Sequence, residues 1–176
     1  GPQGLNRLGN YLSDEPLVFY CPNPYWRGIT YNRARMAYLG GGLRFPVRFG
    51  AVRFGSYSYQ TSIFNFGNRS SHLEANITGP AVQPEIIKVA SGEFIRLREN
   101  KELQDGEVLK IDTTPGNISV KIQKADGTIE NAIGYIHTKS SYFTLRPGEN
   151  VIKYTSQDES QMTLIDLATL PWFGGV

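Results

Sequence analysis

The stretch ISVKIQKADGTI, residues 118–129, gives the clearest indication of the fold of this chain. Ile118, Val120 and Ile122 alternate with polar residues, the period of two that a strand with one buried face produces. Asp126-Gly127 follows this run, and an Asp-Gly pair flanked by alternating apolar residues is a strong short-range signal for a β-hairpin. The stretch therefore predicts two antiparallel strands joined by a tight turn.

The same strand-and-turn pattern continues on both sides of this hairpin. Turns are predicted where Gly and Pro interrupt the apolar runs, as at Gly79-Pro80, Pro115-Gly116 and Pro147-Gly148, the last a type II turn with a positive φ at its Gly. About eleven strands follow one another at a spacing near ten residues, which is typical of a sandwich or barrel. They include Leu43–Phe49, Tyr57–Ile63, His72–Thr78, Ile86–Val89, Val108–Ile111, Ile133–Ile136, Tyr142–Leu145, Val151–Tyr154 and Met162–Leu167. The sequence therefore predicts an all-β, antiparallel fold.

Composition agrees with a single globular domain of ordinary size. The chain has 176 residues, of which 40% are hydrophobic, 12% aromatic and only 19% charged. This is too apolar for a disordered chain and too sparsely charged for a coiled coil. Because no run approaches the twenty apolar residues of a membrane span, we expect no such span.

The charge is distributed unevenly along the chain. Residues 1–55 hold seven Arg, no Lys and two acidic residues, a formal charge of +5, although the whole chain carries only +2. A net charge this small does not indicate a nucleic-acid partner. Arg without Lys suits forked contacts to carboxylates at an interface. Two segments of different character joined in one chain, or chance in a small count, both remain open as explanations.

The residues that usually carry chemistry are few. Cys21 is the only cysteine, which excludes an internal disulfide and a cysteine metal site. His72 and His137 are the only histidines, and we interpret both as ordinary strand or surface residues. Gly40-Gly41-Gly42 lacks the Gly-Lys-Ser/Thr ending of a phosphate loop. We therefore expect a non-enzymatic protein without catalytic, metal or cofactor residues.

Two binding activities remain as alternatives. Arg44-Phe45, Arg48-Phe49 and Arg53-Phe54 interleave base and aromatic ring, as binders of single-stranded nucleic acid do. The alternation places Phe45 and Phe49 on one face, so core packing explains the pattern better. Sugar binding is the stronger alternative, because Trp26 and Trp172 are candidates for stacking on a pyranose ring.

Ordered motifs along the chain resemble a known family. PLVFYCPNPYW (residues 16–26) is similar to a Cys-Pro-Asp-Pro-Tyr/Phe segment of siphovirus-type phage distal tail proteins, and a Gly-rich stretch and a Phe-Pro segment follow in residues 40–49. GEVLKIDT (residues 106–113), SYFTLRPGEN (residues 141–150) and the closing FGGV (residues 173–176) resemble later parts of the same pattern. Together these motifs extend over nearly the whole chain and keep their order.

The resemblance implies a C-terminal galectin-like β-sandwich, a jelly-roll, over residues 31–176. Residues 1–30 would be a linker or the remnant of an N-terminal domain that forms a homo-hexameric ring, and this fragment would be monomeric. The implied role is a docking bracket at the phage tail tip, made in the bacterial host cytoplasm. Its partners would be the tail tube, the tail-associated hub protein and receptor-binding proteins, with weak glycan contact as a further possibility. Asn68-Arg69 is too small a fragment to transfer the galactose site of true galectins, so no ligand-binding residue is assigned.

Overall fold

The computed structural model describes residues 24–39, 59–157 and 162–175. Within these ranges the chain forms fourteen strands and one short 3-10 helix, Ile133–Tyr135. The strands are β1 Tyr25–Arg27, β2 Asn32–Leu39, β3 Gln60–Asn65, β4 Glu74–Thr78, β5 Ala81–Val82, β6 Glu85–Lys88, β7 Phe94–Arg96, β8 Glu102–Leu103, β9 Val108–Asp112, β10 Ser119–Gln123, β11 Ile129–Asn131, β12 Gly148–Thr155, β13 Met162–Thr169 and β14 Trp172–Gly174.

Two larger sheets and two short ladders organise these strands. The six-stranded sheet has the order β11-β10-β9-β4-β13-β2, and the four-stranded sheet has the order β3-β12-β6-β7. β1 pairs with β14, and β5 pairs with β8. Every strand pairing is antiparallel, which confirms the predicted all-β, antiparallel class.

One hydrophobic core receives side chains from both larger sheets. Along β9 and β10 every second residue is buried, and the same alternation occurs in β4, β6 and β12. Leu109 and Val120 from the six-stranded sheet belong to the same cluster as Ile63 and Ile152 from the four-stranded sheet. Because strand side chains alternate between faces, this leaves the other face of each sheet free of core contacts.

The predicted hairpin is confirmed. β10 and β11 pair in antiparallel register from Gln123 opposite Ile129 to Lys121 opposite Asn131. Gly127 has a φ of 87°, the left-handed region that glycine enters without a Cβ clash. The Asp126 carboxylate accepts a hydrogen bond from the Thr128 amide at 2.8 Å, the local closure that favours Asp in turns.

Two predicted strands are wrong. Ile133–Ile136 contains a turn of 3-10 helix because the Asn131 side chain accepts a hydrogen bond from the Ile133 amide and the Ala132 carbonyl accepts one from Tyr135. Tyr142–Leu145 forms no ladder, since only Leu145 pairs, in an isolated bridge with Ser71. The alternation in that segment instead reflects burial of Phe143 and Leu145 from a segment without regular secondary structure.

Some predicted features lie outside the described residues, and some described strands were not predicted. The strand expected at Leu43–Phe49 lies outside the described residues, as do Cys21, Gly40–Gly42 and the Arg-Phe pairs. β2 has no counterpart among the predicted strands, because its alternating Arg and Ala residues give a weak hydrophobic signal. β1 and β14 are three residues each and were likewise not predicted.

A buried lysine stands on the core side of the four-stranded sheet. The side chain of Lys88 is 6% exposed, and its ammonium donates a hydrogen bond to the Thr144 carbonyl at 2.7 Å. The nearest carboxylate oxygen of Glu93 is 3.9 Å away, and the Phe143 ring centroid is 6.0 Å away. Burial disfavours the charged form and lowers the pKa of Lys88, against the smaller opposing effect of Glu93.

Lys88→Met is expected to change the pH dependence of stability. Between the lowered pKa in the folded state and 10.5 in the unfolded state, the unfolded chain binds more protons at this site, so stability rises with pH. The variant lacks this contribution. Urea unfolding at a series of pH values from 8 upwards should therefore show the stability of Lys88→Met relative to wild type falling as the pH approaches 10.5. A stability difference that is constant across this range would contradict the lowered pKa.

Candidate contact surface

Buried hydrogen bonds fix the chain where β13 leads into β14. The Thr169 hydroxyl donates to the His72 carbonyl at 2.7 Å and lies 2.7 Å from the Ser71 hydroxyl. Beyond it, the Pro171 carbonyl accepts a hydrogen bond from the Gly28 amide at 2.8 Å. These contacts hold the β1–β14 ladder against the end of the six-stranded sheet.

The inner face of this ladder is centred on Trp172. Its side chain is 4% exposed, and it pairs with Arg27 of β1 on one side and with Arg69 on the other. Tyr25 stacks against the indole with centroids 5.8 Å apart and planes 23° apart, and the Arg27 guanidinium lies 5.4 Å from the ring centroid. The His72 ring is 5.7 Å away beneath it. Trp172 therefore fastens the ladder to the domain.

The outer face of the ladder points into solvent. Trp26 and Phe173 are directly opposite each other, and they are 74% and 38% exposed. Asn68 holds this edge, since its side chain accepts from the Gly174 amide at 2.7 Å and donates to the Gly174 carbonyl at 3.3 Å. A Cβ on Gly174 would lie 2.3 Å from Nε of Arg69, so a larger residue there would require the Arg69 side chain to move.

Further exposed aromatic rings lie at the same end of the molecule. The Phe64 and Phe66 rings are 4.6 Å apart, and Asn32 at the start of β2 donates a side-chain hydrogen bond to the Phe64 carbonyl. Tyr31 is 41% exposed. We call this set the aromatic end, and it consists of Tyr25, Trp26, Tyr31, Phe64, Phe66 and Phe173.

Positive charge accompanies the aromatic end. The chain segments 24–33, 64–71 and 170–175 contain Arg27, Arg33 and Arg69 and no acidic residue. The Arg33 guanidinium lies 5.7 Å from the Tyr31 ring centroid, a cation-π arrangement like that of Arg27.

Two carboxylates border the aromatic end. Glu74 accepts a hydrogen bond from the Tyr31 hydroxyl at 3.1 Å and lies 3.2 Å from Nε2 of His72, and its negative charge raises the pKa of Tyr31. Glu149 is opposite Phe64 in the β3–β12 register. The border of the aromatic end thus carries negative charge, whereas the only charged residues in the segments with the aromatic rings are arginines.

A second exposed surface is the outer face of the six-stranded sheet. One row across it reads Arg35, Asp166, Asn76, Lys110, Lys121 and Asn131 in successive strands. A shallow depression of about 260 Å³ lies on this face, lined by Glu74, Asn76, Lys110, Ile111, Asp112 and Ser119. This face is polar and contains side chains of both charges.

The structure separates the residues that the sequence singled out. Trp172 is buried on the inner face of the ladder and Trp26 is exposed on the outer face, so the two rings do not form one stacking platform. His72 contacts Glu74 and Trp172, whereas Nδ1 of His137 accepts a hydrogen bond from the Lys139 amide at 3.2 Å.

The described ranges contain neither a group of metal ligands nor a membrane-spanning helix. Within residues 24–39, 59–157 and 162–175, no three His, Cys, Asp or Glu residues are grouped as metal ligands. No helix in those ranges is both long and apolar enough to cross a bilayer.

Comparison with known families gives the context for these surfaces. The family model described as "Siphovirus-type tail component, C-terminal domain" matches residues 67–165, more than half of the chain. The chain belongs to this family. No curated protein and no solved structure gave a significant match.

Family membership confirms the resemblance that the sequence motifs indicated and makes the chain a component of a phage tail, with other tail proteins as its partners. The matched region begins at Gly67, beside the aromatic end, and contains β4 to β12. β1, β2, β3 and β14 lie outside it, and all six rings of the aromatic end come from parts of the chain beyond the matched region.

Trp172→Ala and Trp26→Ala should separate the structural tryptophan from the exposed one. Removing the buried Trp172 ring is expected to cost about 3–5 kcal/mol of unfolding free energy, because it leaves a cavity beneath Tyr25 and Arg27. Removing the exposed Trp26 ring should change it by about 0.5 kcal/mol or less. Urea denaturation of both variants measures the difference. Equal losses of unfolding free energy would contradict the assignment of Trp172 to the packed interior and of Trp26 to the surface.

Proposed function

We propose that the chain is the C-terminal part of a distal tail protein at the phage tail tip, acting as a rigid docking bracket without catalytic activity. The neighbours that it docks are the tail tube, the tail-associated hub protein and receptor-binding proteins. The observation that carries the proposal is the aromatic end, a set of exposed aromatic residues on adjoining segments of a chain of a tail-component family. Exposed apolar clusters of this kind mark interaction sites on soluble proteins.

We further propose the domain organisation and assembly that this role requires. Residues 31–176 form a galectin-like jelly-roll, a proposal supported by two antiparallel sheets around one core. Residues 1–30 are a linker or the remnant of a ring domain, and their strand β1 pairs with β14 of the sandwich. The full-length protein is a homo-hexamer, in which six linked copies strengthen weak contacts through effective concentration. This chain alone is a monomer, and a stable hexamer of it in light scattering would contradict that assignment.

Immunogold electron microscopy of the phage or prophage particle tests the location. Antibody raised against this chain should label the tail at the end distal to the capsid, because the proposed ring closes the tail there. Preimmune serum and a particle lacking the gene are the controls. Label restricted to the capsid or spread along the tube would reject the tail-tip role.

Glycan contact is a second candidate function. It is favoured by the exposed Trp26 ring, since an open aromatic face can stack on a sugar, and by the polar depression lined by Asn76, Lys110 and Asp112. Host cell-wall polysaccharide should quench Trp26 fluorescence and leave the emission of Trp26→Phe, which retains only Trp172, unchanged. Identical responses of the two proteins, or no response of either, would count against this function.

A further inference from the structure

Exposed aromatic residues are concentrated in three short segments of the chain. Of the twelve exposed large hydrophobic residues in the described ranges, seven lie in the segments 25–31, 64–66 and 173, and these seven include all six aromatic ones. The other five are aliphatic, and they lie on β13, on β11, in the 3-10 helix or in loops: Val89, Ile118, Ile129, Ile133 and Leu164. Aromatic rings with Arg nearby are the composition enriched at the centres of protein interfaces.

The packing of the β1–β14 ladder favours a docking role for its exposed rings over a role in the stability of the domain. Trp172, Tyr25 and Arg27 already fasten the ladder from its inner face, so the domain does not need Trp26 and Phe173 for its own packing. Both rings stand on a short, hydrogen-bonded ladder, which presents them in fixed positions. A rigid presentation lowers the entropy lost when a partner binds.

The charges indicate what kind of surface would fit. Arg27, Arg33 and Arg69 are the only charged residues in the segments 24–33, 64–71 and 170–175, and all three are exposed. Guanidinium groups beside aromatic rings suit bidentate contacts to carboxylates at the rim of an interface. A basic or purely apolar partner would leave these three positive charges unmatched.

We propose that the aromatic end docks a neighbouring tail protein through an apolar patch edged by Asp or Glu side chains. Trp26 and Phe173 are the apolar anchors, and Arg33 and Arg69 pair with the carboxylates at the edge. This inference rests on the proposed function and deepens it, because it selects the docking surface and the chemistry of the partner.

Site-specific photocross-linking in assembled tails tests the surface. A benzophenone amino acid replaces Trp26 in the phage-encoded protein, the particles are irradiated, and cross-linked peptides are identified by mass spectrometry. Position 26 should cross-link to another tail protein, within a segment that contains Asp or Glu beside apolar residues. The same probe at Ile129, exposed on the far edge strand β11, is the matched control and should not reach that segment.

The cross-linked tail protein, purified, then serves as the binding probe. Trp26→Ala should weaken its affinity for the full chain about tenfold or more, as truncation of an interface anchor does. Arg33→Glu should weaken it and reduce its salt dependence, whereas Lys121→Glu on the outer face of the six-stranded sheet should do neither. Circular dichroism of each variant verifies folding.

The outcomes distinguish the two levels of the hypothesis. Suppose that the antibody labels the tail tip, but position 26 cross-links to no tail protein, only to a second copy of this chain, or to a segment without acidic residues. Each of these results would overturn this inference and leave the tail-tip role intact. Particles whose tails carry no label at all would overturn the proposed function itself.

Discussion

The register of β13 is the constraint on which the rest of the domain depends. This strand pairs with β2 along its whole length and with β4 over five residues, so a slip of one residue would turn Ile165 and Leu167 out of the core. The buried hydroxyl of Thr169 fixes the end of the strand by donating to the His72 carbonyl. Because Trp172 follows three residues later, the same register decides where that indole comes to lie. The core of the sheets and the position of the aromatic end are thus set by one strand.

The β1–β14 ladder shows how the alternation of strand side chains places neighbouring aromatic residues in two different environments. Trp172 and Phe173 are adjacent in sequence but lie on opposite faces of the ladder, one buried and one exposed. The buried ring exchanges contacts with Tyr25, Arg27 and His72, and this packing makes the ladder rigid. The exposed ring of Phe173, with Trp26 opposite it, contributes little to the packing of the domain. Buried packing and exposed aromatic surface are therefore divided between the two faces of a ladder only three residues long.

Much of the fold could be predicted from sequence, since period-two alternation and Gly-containing turns are local signals. The hairpin at Asp126-Gly127 is confirmed for that reason, as is the positive φ of Gly148 in the Pro147-Gly148 turn. The strand predicted at Ile133–Ile136 was wrong because the Asn131 side chain bonds the Ile133 amide two residues on and the chain turns there, which apolar spacing does not reveal. The aromatic end could not be found from sequence at all. Trp26 and Trp172 lie 146 positions apart in the sequence. Only the register of β1 on β14 shows that the Trp172 ring is buried and the Trp26 ring is exposed.

The arginine-rich start of the chain acquires a more specific meaning from this geometry. Arg27 and Arg33 each lie over an aromatic ring, and Arg35 forms an ion pair with Asp166, so the described arginines of this part of the chain are held in place by neighbours. A guanidinium stacked on a ring retains its charge and most of its donors, because the contact uses the flat face and leaves the edge free. Lysine would offer a mobile point charge instead. At Arg27 and Arg33, Arg rather than Lys therefore fits a surface whose cations stand at fixed positions beside aromatic rings.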